Sequence, residues 1–194
     1  MVDYDPQTAL IVVDVQNDFA SRDGSLYVRE GEQVVPVINE EIDRALAAGA
    51  HVFYTQDWHP PSTPHFEKDG GIWPVHCVAG TPGADLYPEL RVEGEIVRKG
   101  TGGEDGYSGF SVRDPNSGEE APTQLESLLR DRGIERVVVV GLATDYCVKE
   151  TALDAIDRGF TTIIMEGATR PVDRSPGDGQ RALEDVSSAG GEVV

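Results

Sequence analysis

The run Arg136-Val137-Val138-Val139-Val140 constrains this chain more than any other segment. Four consecutive β-branched residues with no polar alternation describe a strand covered on both faces, the condition met inside a parallel sheet flanked by helices. Thr8-Ala9-Leu10-Ile11-Val12-Val13 reads the same way. Shorter runs at 50–55, 95–98, 161–165 and 192–194 complete a predicted set of six strands. Between them the apolar residues change period. Val34, Val35, Ile38, Ile42, Ala45 and Leu46 recur at helical spacing and stop at Gly49; Leu125, Leu128 and Leu129 do so before Gly133. Val148, Ala152, Ala155 and Ile156 mark a helix over 145–158, and Ser175 to Ala189 a last one. Strands alternating with helices predict an α/β fold: an open, mostly parallel six-stranded sheet with helices on both faces, in three layers. The stretch 100–122, rich in glycine and acids, reads as a loop. The length, 194 residues without internal repeat or linker, predicts one domain over 1–194.

Charge narrows the partners. There are 35 acidic and 16 basic residues, a net charge of -19. Nucleic acid demands a basic patch, and so does an anionic membrane surface, so neither is expected as a partner. No apolar run approaches the roughly 18 residues that span a bilayer. The acidic start, Met1-Val2-Asp3-Tyr4-Asp5, is unlike a signal peptide, and a cytoplasmic protein is expected. The two cysteines, Cys77 and Cys147, make no disulfide framework; each is a buried small hydrophobe or a thiol used in chemistry.

In open parallel sheets ligands bind beyond the carboxyl ends of the strands. Asp14 follows the first expected strand, Asp57 and His59 the second, Lys99 the third, and Cys147 lies just past the fourth. Each has an ordinary reading: a capping Asp, a solvated Lys, a core Cys. Their joint placement at one sheet edge points to a site. Gly141-Leu142-Ala143-Thr144-Asp145-Tyr146-Cys147 reads as a strand-to-helix turn, which puts the thiol at a helix N-terminus where thiolate and oxyanion are both favoured. A nearby Lys99 ammonium would favour thiolate further, and Asp14 could move the thiol's proton. Of the four histidines, His51 lies inside a strand and reads as structural, while His59, His65 and His76 fall within one Pro/Gly-rich stretch. With Asp57 they offer one carboxylate and three imidazoles, a set suited to Zn2+, Fe2+ or Mn2+. The bland alternative is three loop histidines without a ligand; their concentration here favours the metal.

These residues resemble the nicotinamidases (pyrazinamidases) of the isochorismatase-like hydrolase superfamily, over nearly the whole chain. The resemblance rests on Val12-Val13-Asp14-Val15-Gln16-Asn17-Asp18-Phe19, Asp57-Trp58-His59, Trp73-Pro74-Val75-His76-Cys77 with Gly80-Thr81-Pro82-Gly83, Lys99-Gly100, Tyr107-Ser108-Gly109-Phe110 and Gly141 to Val148. It implies that Cys147 attacks a carboxamide carbon, that Asp14 takes the thiol proton and passes it to departing ammonia, and that Lys99 holds both in place. It implies a cis peptide before Ala143, so that the N–H groups of Ala143 and Cys147 face the oxyanion. It also implies one divalent ion, Zn2+ before Fe2+ or Mn2+, on Asp57, His59, His76 and His65, which positions the pyridine nitrogen of nicotinamide. Phe19, Leu26, Trp73 and Tyr107 are the matching ring-binding positions, and each could instead pack the core. Asn17 is expected to support the catalytic loop, and Cys77 to be structural. The function implied is hydrolysis of nicotinamide, with pyrazinamide also accepted, in NAD salvage.

Three other readings compete. A related amidohydrolase acting on a carbamoyl or ureido compound would share the triad but generally lack the full metal set. An isochorismatase would typically lack the nucleophilic Cys. A metal-stabilised binding protein would not need Asp14, Lys99 and Cys147 intact. Oligomeric state stays open, a homo-oligomer included. Only three of the basic residues are lysines, Lys68, Lys99 and Lys149. This acidic, lysine-poor surface reads either as adaptation to high internal salt or as ordinary solubility through net charge. A melting temperature that rises from low to molar salt is the outcome expected of the first; one that falls rejects it.

Overall fold

The computed structural model describes residues 2–194. Its centre is a six-stranded sheet in the order β3-β2-β1-β6-β7-β8, in which every pairing is parallel. The strands are β1 (Thr8–Val13), β2 (His51–Asp57), β3 (Glu95–Lys99), β6 (Arg136–Leu142), β7 (Thr161–Arg170) and β8 (Glu192–Val193). A separate hairpin, β4 (Ser111–Arg113) with β5 (Glu120–Pro122), stands outside it. The helices are α1 (Asn17–Ala20), α2 (Val34–Ala47), α3 (Leu125–Asp131), α4 (Lys149–Asp157) and α5 (Asp178–Ser188). Among them none is long and apolar enough to cross a membrane.

Alternating side chains of the central strands feed two cores. Leu10 and Val12 of β1 with Val138 and Val140 of β6 pack against Val34, Val35, Ile38 and Ile42 of α2. Ala9, Ile11 and Val13 with Val137 and Val139 point the other way, onto Leu125 and Leu129 of α3, Ala152 and Ala155 of α4, and Leu183 of α5. This is why the runs are continuously apolar: both sets are fully buried.

The structure departs from expectation at three places. The 100–122 stretch is not wholly loop, since it carries the β4–β5 hairpin, whose turn is closed by Asp114 Oδ1 accepting the N–H groups of Asn116 and Ser117. These strands are short and mostly exposed, so they leave no apolar pattern to read. β7 runs past Met165 to Arg170, because its pairing with β6 breaks after Val139–Ile164 and resumes at Gly141–Thr169. Finally, the helix expected over 145–158 opens with a π-helical turn, Thr144–Val148, before α4 begins.

Gly141 sits where β6 meets β1 and has φ +112°; an added Cβ would lie 2.1 Å from the carbonyl oxygen of Val13. Neither the dihedral nor the space admits a side chain. Gly141→Ala is expected to destabilise the protein by more than about 1 kcal/mol, checked by urea unfolding.

Candidate active site

The parallel register builds the site directly. Lys99, last in β3, pairs with Asp57, last in β2. Asp14 follows β1, the next strand across, and its N–H donates to Thr55 O (3.3 Å). Cys147 lies in the π-helical turn after β6, the strand beyond. The carboxyl ends of four adjacent strands thus deliver an ammonium, two carboxylates and a thiol to one place. Asp14 adopts a left-handed conformation (φ 48°), which Asp tolerates better than most residues.

Lys99 is the hub. Its Nζ lies 2.6 Å from Asp14 Oδ2, 2.5 Å from Asp57 Oδ1 and 3.8 Å from Cys147 Sγ, and it also donates to the carbonyl of Gly106. All of this is buried: Lys99 is 1% and Asp14 0% exposed. Burial would discharge the lysine, but Asp14 and then Asp57 reverse that and hold it well above its usual range. Burial lifts Asp14 to about 6, against the pull of Lys99 and with a push from Asp57. Burial also acts to raise Asp57, yet Lys99 and the imidazoles of His59 and His76 outweigh it and hold that carboxyl well below the ordinary range. The Cys147 thiol is pushed well above its usual value, by burial first, with Lys99 opposing and Asp14 and Asp57 reinforcing. Burial and the two carboxylates thus oppose the thiolate that a place at a helix N-terminus favours. Asp14 Oδ1 accepts from Thr55 Oγ1 (2.7 Å), while Oδ2 is ion-paired with Lys99. One oxygen of Asp14 lies within 4.8 Å of the Cys147 sulfur.

Beside this stands the histidine cluster. His59, His65 and His76 each bring a ring nitrogen within 4.8 Å of the others, and all three are buried. Asp57 Oδ2 lies 3.6 Å from His59 Nε2 and 4.0 Å from His76 Nε2. These gaps are too long for hydrogen bonds. They suit donors that share an ion, since two ligands ~2.0–2.1 Å from one metal stand no more than about 4 Å apart. Neither nitrogen of His59 has a hydrogen-bond partner although the ring is fully buried, a costly state unless a ligand completes it. His76 Nδ1–H donates to Pro74 O (2.7 Å) and His65 Nδ1 lies 2.6 Å from Asp105 Oδ1, which leaves both Nε2 lone pairs available. Burial lowers His65 and brings His76 down to about 4, so both rings are neutral near pH 7, the form a metal needs. The three histidines fit a divalent metal ion, and Asp57 stands within 4.0 Å of two of them. Asp57 serves both groups: one oxygen meets Lys99, the other faces the histidines.

A cavity of about 440 Å³, counting its open mouth, joins the two groups. Phe19, Leu26, Trp73 and Tyr107 all line it, with Asp57, His65, His76, Ala143 and Cys147. Trp73 Nε1–H donates to Tyr107 Oη (2.8 Å), and Tyr146 stands edge-on to Trp73 at 4.9 Å. Val28, Leu142, Tyr146 and Val172 also line it, and nothing in the sequence marks them as wall residues. Thr55 was missed for the same reason. The Leu142–Ala143 peptide is cis. Asn17 Nδ2 donates to Pro82 O (2.7 Å), supporting the 82–85 segment. Cys77 is fully buried beside Gly83, and burial raises its thiol well above the usual value.

Comparisons with known proteins place the chain in a family. Residues 8–194 match the Isochorismatase domain, and the chain belongs to that family. It is 40% identical to the nicotinamidase/pyrazinamidase of Mycobacterium tuberculosis, over 96% of this chain and 97% of that one. Among solved structures it is similar to the pyrazinamidase of Pyrococcus horikoshii in complex with zinc (TM-score 0.86, 40% identity, 97% of this chain and 99% of that chain). It also resembles PnC1 from L. infantum in complex with nicotinate (TM-score 0.88, 34% identity, 100% and 95% coverage).

Zn2+ added to chelator-treated protein is expected to raise the melting temperature with one-to-one stoichiometry, and His59→Ala to remove most of that rise; calorimetric titration checks both.

Proposed function

We propose that this protein is a nicotinamidase that hydrolyses nicotinamide to nicotinate and ammonia, accepts pyrazinamide as well, and acts in NAD salvage. The observation that carries the reading is Lys99, which touches Asp14, Asp57 and Cys147 at once and so joins a thiol to a histidine cluster beside one aromatic-walled cavity. The M. tuberculosis relative and the nicotinate complex of the L. infantum protein support the choice of substrate.

In this reading Cys147 Sγ attacks the carboxamide carbon while Asp14 takes the thiol proton, a role open to a carboxylate with an oxygen within 4.8 Å of that sulfur. Developing negative charge on the carbonyl oxygen is met by the N–H groups of Ala143 and Cys147, both on the cavity wall. Asp14 then hands its proton to the nitrogen, ammonia leaves, and a thioester on Cys147 remains. Water attacks the thioester, Asp14 receives a proton from it, that proton returns to the sulfur as the acid leaves, and the acid gives its remaining proton to solvent to become nicotinate. Lys99 keeps Asp14 near its base form despite burial. Phe19, Leu26, Trp73 and Tyr107 hold the ring. Asp57, His59, His65 and His76 would hold the divalent ion, for which we assign Zn2+. When bound, such an ion offers a Lewis-acid position for an aromatic ring nitrogen and so orients the substrate. The full set of four metal donors favours this reading over a carbamoyl or ureido substrate. Residues 1–194 would act as one hydrolase unit. A cytoplasmic location accords with two unpaired cysteines.

Ammonia release from nicotinamide is expected from purified protein in low or molar salt. Cys147→Ala should abolish it and chelation reduce it; a folded, metal-loaded protein that releases none would reject the substrate. Below pH 6 Asp14 holds a proton and cannot take the thiol's, so kcat/KM should fall as pH drops through about 6. A rate flat from pH 7 to pH 5 would remove Asp14 as the base.

A further inference from the structure

The three clustered histidines are held in different ways. His76 is fixed by the carbonyl of Pro74, two residues back in its own loop. His59 has no hydrogen-bond partner on either nitrogen. His65 alone of the three is hydrogen-bonded to a carboxylate, that of Asp105, 2.6 Å from Nδ1 and forty residues on in the chain.

We propose that Asp105 is a positioning residue of the metal site, one that sets the tautomer and orientation of His65 and so the protein's affinity for a divalent ion. The proposal rests on the metal-site reading above and adds a residue that the family resemblance and the comparisons leave unassigned. A carboxylate oxygen can only accept here, so the Nδ1 of His65 carries the proton and Nε2 presents its lone pair to the cluster. A carboxylate behind a ligating imidazole also makes the ligand nitrogen more basic.

Asp105 is itself held rigidly. Its N–H donates to Arg113 O (2.8 Å) and its carbonyl accepts from Arg113 N–H (2.9 Å), which clamps it to β4. Thr63 Oγ1 donates to Gly103 O (2.7 Å) and accepts from His65 N–H (3.2 Å), fastening the same segment to the histidine loop. The hairpin that the sequence did not reveal is thus the strut behind His65. The next two residues continue the pattern: the Gly106 carbonyl accepts from Lys99, and Tyr107 lines the cavity. One short stretch sets a metal ligand, the lysine and a pocket wall in succession.

The test is a Zn2+ titration of chelator-treated protein against a chromophoric chelator. Asp105→Ala is expected to weaken Zn2+ binding about 10- to 100-fold. Asp105→Asn keeps an acceptor oxygen for Nδ1–H and should weaken it less. Turnover lost in Asp105→Ala should return as Zn2+ is raised, whereas Cys147→Ala should not be rescued. Zn2+ binding by folded Asp105→Ala within about twofold of wild type overturns the proposal. If Asp105→Ala fails to fold, Asp105→Asn decides: affinity at least about threefold weaker supports the role, and unchanged affinity overturns it. Wild-type protein that takes up no Zn2+ overturns the metal-site reading, and this proposal with it.

Discussion

A single buried ammonium organises the molecule. Lys99 Nζ meets Asp14, Asp57, the Gly106 carbonyl and the Cys147 sulfur, with no solvent to share the charge. Removing one partner of a buried ion pair typically costs about 3–5 kcal/mol, because the remaining charge has nowhere to go. Here the partners come from three adjacent strands and the segment after β3, so the lysine staples the sheet edge while it sets the protonation of its neighbours. With Lys99 charged and the thiol neutral, ionised Asp14 and Asp57 leave the buried group one negative charge in excess. That excess lies next to the neutral imidazoles of His65 and His76, where a divalent cation is welcome.

The sheet order explains how residues distant in the chain come to share a lysine. The chain builds β1, moves outward to β2 and β3, then returns to lay β6 on the other side of β1. Between such opposed crossovers a parallel sheet opens a crevice at its carboxyl edge. The two halves of the site sit on either side of that reversal: Asp57 and Lys99 from one direction, Cys147 from the other, Asp14 between. Asp57 is the hinge of this arrangement, one oxygen committed to the lysine and the other to the histidines. A change at either half is therefore felt by the other through a single carboxylate.

Much of this was legible in the residues. The valine runs specify buried parallel strands because nothing else accommodates them. The histidines betray their cluster by scarcity, three of four in one stretch of loop. Val28 and Val172 gave no signal, since a residue that packs a core and one that lines a pocket obey the same apolar rule, and Thr55 gave none because folding brings Asp14 to its hydroxyl. The β4–β5 hairpin was invisible because its exposed strands bury nothing, and Asp105 because its partner is supplied by folding. Helix-end reasoning on Cys147 pointed to thiolate; burial among two carboxylates reverses it, and burial is a property of the fold.

What the sequence determined by itself is the order of strands and helices, their two-sided burial, and the kinds of chemistry at each strand end. Those follow from local pattern and side-chain type. Only the tertiary structure decided that Asp57 bridges lysine and histidines, that Asp105 backs His65, and that Thr55 holds one oxygen of Asp14 while Lys99 meets the other. These are distances and desolvation, set by which strands lie side by side, and no reading along the chain contains them.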